Sequence, residues 1–204
     1  MNTVRDHLGL KMLFCAITAL AMLTSPPALA EESLPFMPLK GDFDLEDEQG
    51  QKVSLKSYRG AYLLVYFGYT YCPDVCPASL GQLSEALWHI PEPKAQRITP
   101  LFISVDPQRD NQEHLRIYTD AFHHAMVGLT GSPDNLQQAA KMFGAYYIKG
   151  KPEPDDPEDY TISHSSLTYL VGPEGNMLKL FPHATSVKEI AITLDRMIQL
   201  PKGE

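Results

Sequence analysis

The stretch Ala61-Tyr62-Leu63-Leu64-Val65-Tyr66-Phe67, followed by Gly68-Tyr69-Thr70-Tyr71-Cys72-Pro73-Asp74-Val75-Cys76-Pro77, decides the fold. Seven nearly continuous apolar residues are the pattern of a strand buried on both faces, which arises where helices cover both sides of a largely parallel sheet. Residues 68–76 leave that strand as a loop. Leu80, Leu83, Leu87 and Ile90 then recur at offsets of three and four, so 77–90 is expected to be a helix. Asp74 stands where an N-cap would, and Pro77 fits a first helical turn because its missing N–H had no intrahelical partner there.

Working outward, residues 98–105 form a second buried strand, 111–124 a helix with Leu115, Tyr118 and Phe122 on one side, and 127–129 a short strand. Ser132-Pro133 opens a helix over 134–143. Residues 166–171 and 176–181 flank Gly172-Pro173-Glu174-Gly175, a hairpin signal, and 187–200 is a closing amphipathic helix. Toward the N-terminus, 42–45 and 52–55 flank Asp47-Glu48-Gln49-Gly50 as a small hairpin, whereas Pro35 and Pro38 make 31–40 an irregular lead-in. Residues 149–159, dense in Pro, Glu and Asp, form an exposed flap. Strand and helix alternate without an internal linker, which predicts one α/β domain over 31–204, a central mixed sheet with helices on both faces.

Arg5 and Lys11, the apolar run 12–23 and the small residues ending at Ala30 have the order of an export signal cleaved after Ala30. Twelve residues would span only about 18 Å as helix against a hydrocarbon core of about 30 Å, so a retained anchor over 1–30 is the weaker alternative. Removing those residues takes Cys15 away and leaves 15 basic and 24 acidic side chains with two cysteines. An acidic chain without a Lys/Arg cluster is a poor ligand for nucleic acid, whose affinity rests on neutralised phosphates. Export also places Cys72 and Cys76 in an oxidising compartment, where their function must use oxidation or resist it.

The cysteine motif lies where a buried strand passes into a helix, the usual ligand position of an open α/β sheet. A helix N-terminus favours a thiolate at Cys76. The spacing alone equally fits a structural disulfide or two inert thiols. His164, just before the strand beginning at 167 and just after the flap, is the histidine that could return over the cysteine loop. His89, His114, His123 and His124 are read as surface or helix-terminal side chains, with His183 a lesser candidate. Two thiolates and a neutral imidazole form a soft ligand set suited to Cu(I); Cu(II) would recruit an added oxygen, and zinc a fourth ligand. Asp106 and Arg109 fall at the same sheet end as the cysteines, Asp106 to hold the loop and Arg109 to meet a partner. Tyr69 and Tyr71 flank the cysteine loop, to shield a metal or line a docking face, and Trp88 is expected to pack.

Three motifs together, residues 68–77, Ser104-Val105-Asp106-Pro107-Gln108-Arg109-Asp110, and His164-Ser165-Ser166 followed by residues 169–175, resemble the Sco/SenC family of copper-binding cytochrome c oxidase assembly proteins. The resemblance implies a thioredoxin-like fold with an N-terminal hairpin and an inserted hairpin near residues 145–163. It implies Cys72, Cys76 and His164 as copper ligands. It further implies a periplasmic copper chaperone, held at the inner membrane if residues 1–30 are retained. The partner would be the copper-binding domain of cytochrome c oxidase subunit II, with another periplasmic copper chaperone or a thiol reductant upstream. The alternative is a thiol–disulfide oxidoreductase that keeps that subunit's cysteines reduced, with Cys72 attacking and Cys76 resolving. Peroxide reduction and copper-dependent redox sensing are minor alternatives. Many family members carry an acidic residue where this chain has Ser163, a change expected to tune copper affinity.

Overall fold

The computed structural model describes residues 37–201, so the expected signal or anchor at 1–30 lies outside the described residues. At the centre, β4 (Tyr62–Gly68) is buried at every position, and β5 (Ile98–Ser104) lies parallel to it with Tyr66 opposite Phe102. The strand β6 (Val127–Thr130) continues the parallel set, while β9 (Leu167–Val171) runs antiparallel on the other side of β4 and pairs in turn with β10 (Asn176–Pro182). The small hairpin of β2 (Leu45–Asp47) and β3 (Lys52–Val53) joins the sheet at β6.

The lead-in is more ordered than its prolines imply. A two-residue strand β1 (Met37–Pro38) pairs with β10, at the edge of the sheet, where a proline's missing N–H breaks no ladder bond. The eight-stranded order is β1-β10-β9-β4-β5-β6-β2-β3.

Side-chain alternation along β4 divides the core between two faces. Tyr66 and Phe102 lie beneath α1 (Val75–Trp88) and α3 (Gln112–Asp120), with the Phe102 and Tyr118 rings 5.2 Å apart. On the opposite face Phe67, Tyr169 and Phe143 of α4 (Pro133–Phe143) meet edge to face at 5.4–6.0 Å. A short helix α2 (Glu92–Ala95), which the sequence pattern did not suggest, precedes β5, and α5 (Val187–Met197) packs on α1.

Ser132 and Asn111 cap their helices by accepting the backbone N–H of Asn135 and His114. Gly144 ends α4 in the left-handed conformation. The helix expected over 111–124 stops at Asp120, and residues 121–126 turn back instead. Among the described residues no helix is long and apolar enough to cross a membrane. This is the mixed-sheet, thioredoxin-like architecture that the resemblance implied.

Candidate metal centre

Two stretches far apart in the chain meet at the carboxyl end of β4. Cys72 lies in the loop after β4, where its N–H donates to the Tyr69 carbonyl at 3.1 Å, and Cys76 falls in the first turn of α1. His164 arrives on β8 (Ile162–His164), which pairs with β7 (Tyr147–Lys149) in a separate two-stranded sheet. His164 Nε2 is 3.2 Å from Cys76 Sγ and 3.9 Å from Cys72 Sγ, and all three donor atoms lie within 4.8 Å of one another. A single ion with bonds of about 2.0–2.3 Å spreads its donors by about 3.5–4 Å, so the cluster has the dimensions of one metal site. Both cysteines are free thiols.

The histidine is oriented from behind. Its Nδ1–H donates to the Ser165 carbonyl at 3.2 Å, which leaves the Nε2 lone pair facing the sulfurs. Tyr66 and Tyr69 stand edge-on to the imidazole at 6.0 and 5.9 Å. Burial lowers the His164 pKa, with hydrogen bonds to the Ser165 and Phe67 backbone opposing it, so the ring is neutral near pH 7 and free to ligate.

The cysteines differ. Cys76 is fully buried, whereas Cys72 is 7% exposed and lines an open cleft of about 350 Å³ shared with Tyr69, Pro73, Asp74, Ser163 and His164. Burial pushes the Cys76 thiol well up from its ordinary value, and a Tyr69 backbone hydrogen bond offsets this only in part. The thiolate preference expected from the helix N-terminus is therefore outweighed in the metal-free state, because desolvation of a fully buried sulfur exceeds what one helix end contributes. A soft cation would reverse that balance by pairing with the thiolate directly. A larger depression of about 930 Å³ runs along α4 past Asp134, Lys141 and Tyr146, away from any such donor set.

Gly68 was not singled out by sequence reasoning, yet the site depends on it. A Cβ there would sit 2.6 Å from Cys76 Sγ and 2.9 Å from Phe102 Cε2. Asp110, at the end of the segment 104–110, carries no local sign of its role. It is wholly buried and accepts the Thr70 N–H at 3.0 Å, the Thr70 hydroxyl at 2.6 Å and the Ser104 hydroxyl at 2.5 Å, tying the cysteine loop to the end of β5. Nothing in a lone Asp announces this, because the Thr70 that it holds lies 40 residues away.

Asp106 does hold its loop, accepting the Arg109 Nε–H at 2.5 Å and the Tyr160 hydroxyl at 2.7 Å. Arg109 departs from expectation. Its side chain is only 9% exposed and lies among Tyr160, Tyr71 and Tyr69 instead of reaching toward a partner. Tyr69 is buried against the imidazole, whereas Tyr71, 55% exposed, is the one of the pair that faces solvent. Trp88, expected to pack, is 69% exposed, and it lies beside the His123 and His124 rings of the turn that follows α3. Asp74 takes the N-cap position of α1 without a side-chain capping bond. His183 stands apart from the sulfurs, on the Ser79 hydroxyl at 2.8 Å. Ser163 is exposed on β8 between the buried Ile162 and His164, and it lines the same cleft as Cys72 and His164.

The SCO1/SenC family model matches residues 32–199. The chain belongs to the SCO1/SenC family. It is 38% identical over 157 residues to the human mitochondrial "Protein SCO1 homolog", covering 76% of this chain and 52% of that one. The chain spans about half the length of the curated relatives it matches. Among solved structures, Arabidopsis thaliana ScoI with copper bound is 35% identical with a TM-score of 0.70, covering 76% of this chain and 95% of that one. Bradyrhizobium japonicum ScoI with copper bound is 36% identical with a TM-score of 0.69, over 76% and 97%. The folded region of this family member therefore corresponds to nearly the whole of structures that hold copper.

Proposed function

We propose that this family member is a copper carrier that binds one ion through Cys72 Sγ, Cys76 Sγ and His164 Nε2 and serves cytochrome c oxidase assembly. The observation that carries the reading is the convergence of those three donors within 4.8 Å, with the imidazole lone pair turned inward by the Ser165 carbonyl. Two sulfurs and one nitrogen, with no carboxylate among them, suit Cu(I) best and accept Cu(II) with an added oxygen from the open cleft. Copper is the cargo, and the site is built to release it. A partner thiolate would enter through the cleft beside Cys72, the less deeply buried of the two, and His164 would leave first, because losing a neutral nitrogen separates less charge than losing a thiolate. The recipient is the copper-binding domain of oxidase subunit II, and the charge pattern of residues 1–30 supports work on the outer face of a membrane, in the periplasm.

The test is anaerobic titration of the reduced chain with Cu(I), with affinity set by competition against a chromogenic chelator. One ion should bind per chain, and His164→Ala should weaken it by at least about tenfold while leaving the fold intact. Copper held equally well without His164 would overturn the ligand assignment.

Thiol–disulfide exchange with the same partner is the second reading, favoured by the two sulfurs lying side by side with one reachable from the cleft. Incubating the copper-loaded chain with the metal-free partner domain separates the two. Movement of metal without disulfide exchange supports the carrier, and exchange without metal movement supports the reductase.

A further inference from the structure

The β7–β8 hairpin carries His164 but does not belong to the main sheet, and two strands by themselves are marginal in water. Something else must hold the hairpin down. Residues 151–159 of the intervening flap are exposed, and Tyr160, the next residue, is buried. The Arg109 guanidinium lies 3.6 Å from the centre of the Tyr160 ring and the Lys149 ammonium lies 3.7 Å from it. The Tyr160 hydroxyl donates to Asp106 at 2.7 Å, and Arg109 Nη1 donates to the Glu158 carbonyl at 2.9 Å. Asp106 and Arg109 share a loop with Asp110, which secures the cysteine loop through Thr70. One loop of the sheet thus grips both halves of the donor set through separate contacts.

We infer that Tyr160, clamped by Arg109 and Asp106, is a positioning residue for His164 and sets how readily that ring leaves the two sulfurs. The inference rests on the copper reading above. Tyr160 lies four residues before His164 on the same strand approach, so freeing it lets the hairpin lift while Asp110 keeps Cys72 and Cys76 in place. Tyr71 stacks on the outer side of the same guanidinium at 4.7 Å, so the clamp reaches the solvent-facing surface beside the cysteines.

The experiment uses the reduced chain loaded with one Cu(I) and follows the rate of transfer to bathocuproine disulfonate in four variants: Tyr160→Phe, Tyr160→Leu, His164→Ala, and the His164→Ala/Tyr160→Leu double. Tyr160→Phe, which removes the hydroxyl bonded to Asp106, should speed transfer by about tenfold, the factor that a hydrogen bond to a charged group carries, and Tyr160→Leu, which also removes the ring beneath Arg109 and Lys149, by more. The double variant should be no faster than His164→Ala alone, a non-additivity that a general loss of stability would not produce. In the metal-free chain, amide exchange over 162–164 should quicken in Tyr160→Leu while that of Thr70 stays unchanged. Wild-type transfer and exchange in Tyr160→Leu, or additive rates in the double variant, would overturn the inference. Wild-type transfer in His164→Ala together with faster hairpin exchange in Tyr160→Leu would instead remove His164 from the copper reading while leaving the clamp on the hairpin.

Discussion

Replacing Gly68 by Ala tests how tightly the scaffold sets the buried sulfur. The new methyl would stand 2.6 Å from Cys76 Sγ, 2.9 Å from Phe102 Cε2 and 3.2 Å from Tyr66 Cε1. Relaxed contacts of this kind are about 3.5–4 Å, so the sulfur must retreat by about 1 Å. The rings have little room to yield, because Phe102 and Tyr66 are both fully buried. Overpacking of this size costs about 1–3 kcal/mol and the stiffer unfolded chain returns about 0.4–1, for a net loss of about 1–2 kcal/mol. In a domain of this size that is a fall of about 3–6 °C in Tm. A 1 Å displacement also exceeds the tolerance of about 0.2 Å in a metal–ligand bond, so Cu(I) affinity should fall by at least about tenfold. Thermal unfolding under reducing conditions gives the first number and chelator competition the second. Unchanged affinity in a destabilised variant would show that the rings moved in place of the sulfur, and unchanged values of both would refute the packing argument.

Asp110→Asn keeps the shape but turns an acceptor-only group toward three donors into one that also donates; it should cost about 2–3 kcal/mol and speed amide exchange at Thr70, and wild-type melting would contradict the anchoring role. Under anaerobic conditions in the metal-free chain, iodoacetamide should label Cys72 well before Cys76, read by peptide mass spectrometry, because Cys76 is both enclosed and held in its thiol form by burial. Equal or reversed labelling would refute the assigned asymmetry of the two sulfurs.

Much of the frame is legible because it is written in local patterns. The apolar run over 61–67 has the composition of a doubly covered strand, and β4 is buried throughout. Ser132-Pro133 marks a helix start through chemistry confined to one turn, and the Ser132 hydroxyl caps it as expected. Misreadings arose where a local rule met a non-local opportunity. Pro38 argues against a strand until β10 offers an edge on which its missing N–H costs nothing. Trp88 argues for packing, yet it is 69% exposed beside the His123 and His124 rings of the turn after Asp120. Arg109 is a surface residue by type, but three tyrosines from two distant segments enclose it.

The amino-acid order by itself pointed to the mixed sheet through strand burial and helix period, which act over a few residues at a time, and to the family, with Cys72, Cys76 and His164 as its ligands, through three motifs that resemble it. Only the tertiary structure decided that His164 crosses 88 residues to stand 3.2 Å from Cys76, that Gly68 makes room for that sulfur, and that Asp110 and Tyr160 hold the two halves from one loop. Those are contacts between segments remote in the chain. Their geometry depends on how whole layers pack, and no local propensity encodes it.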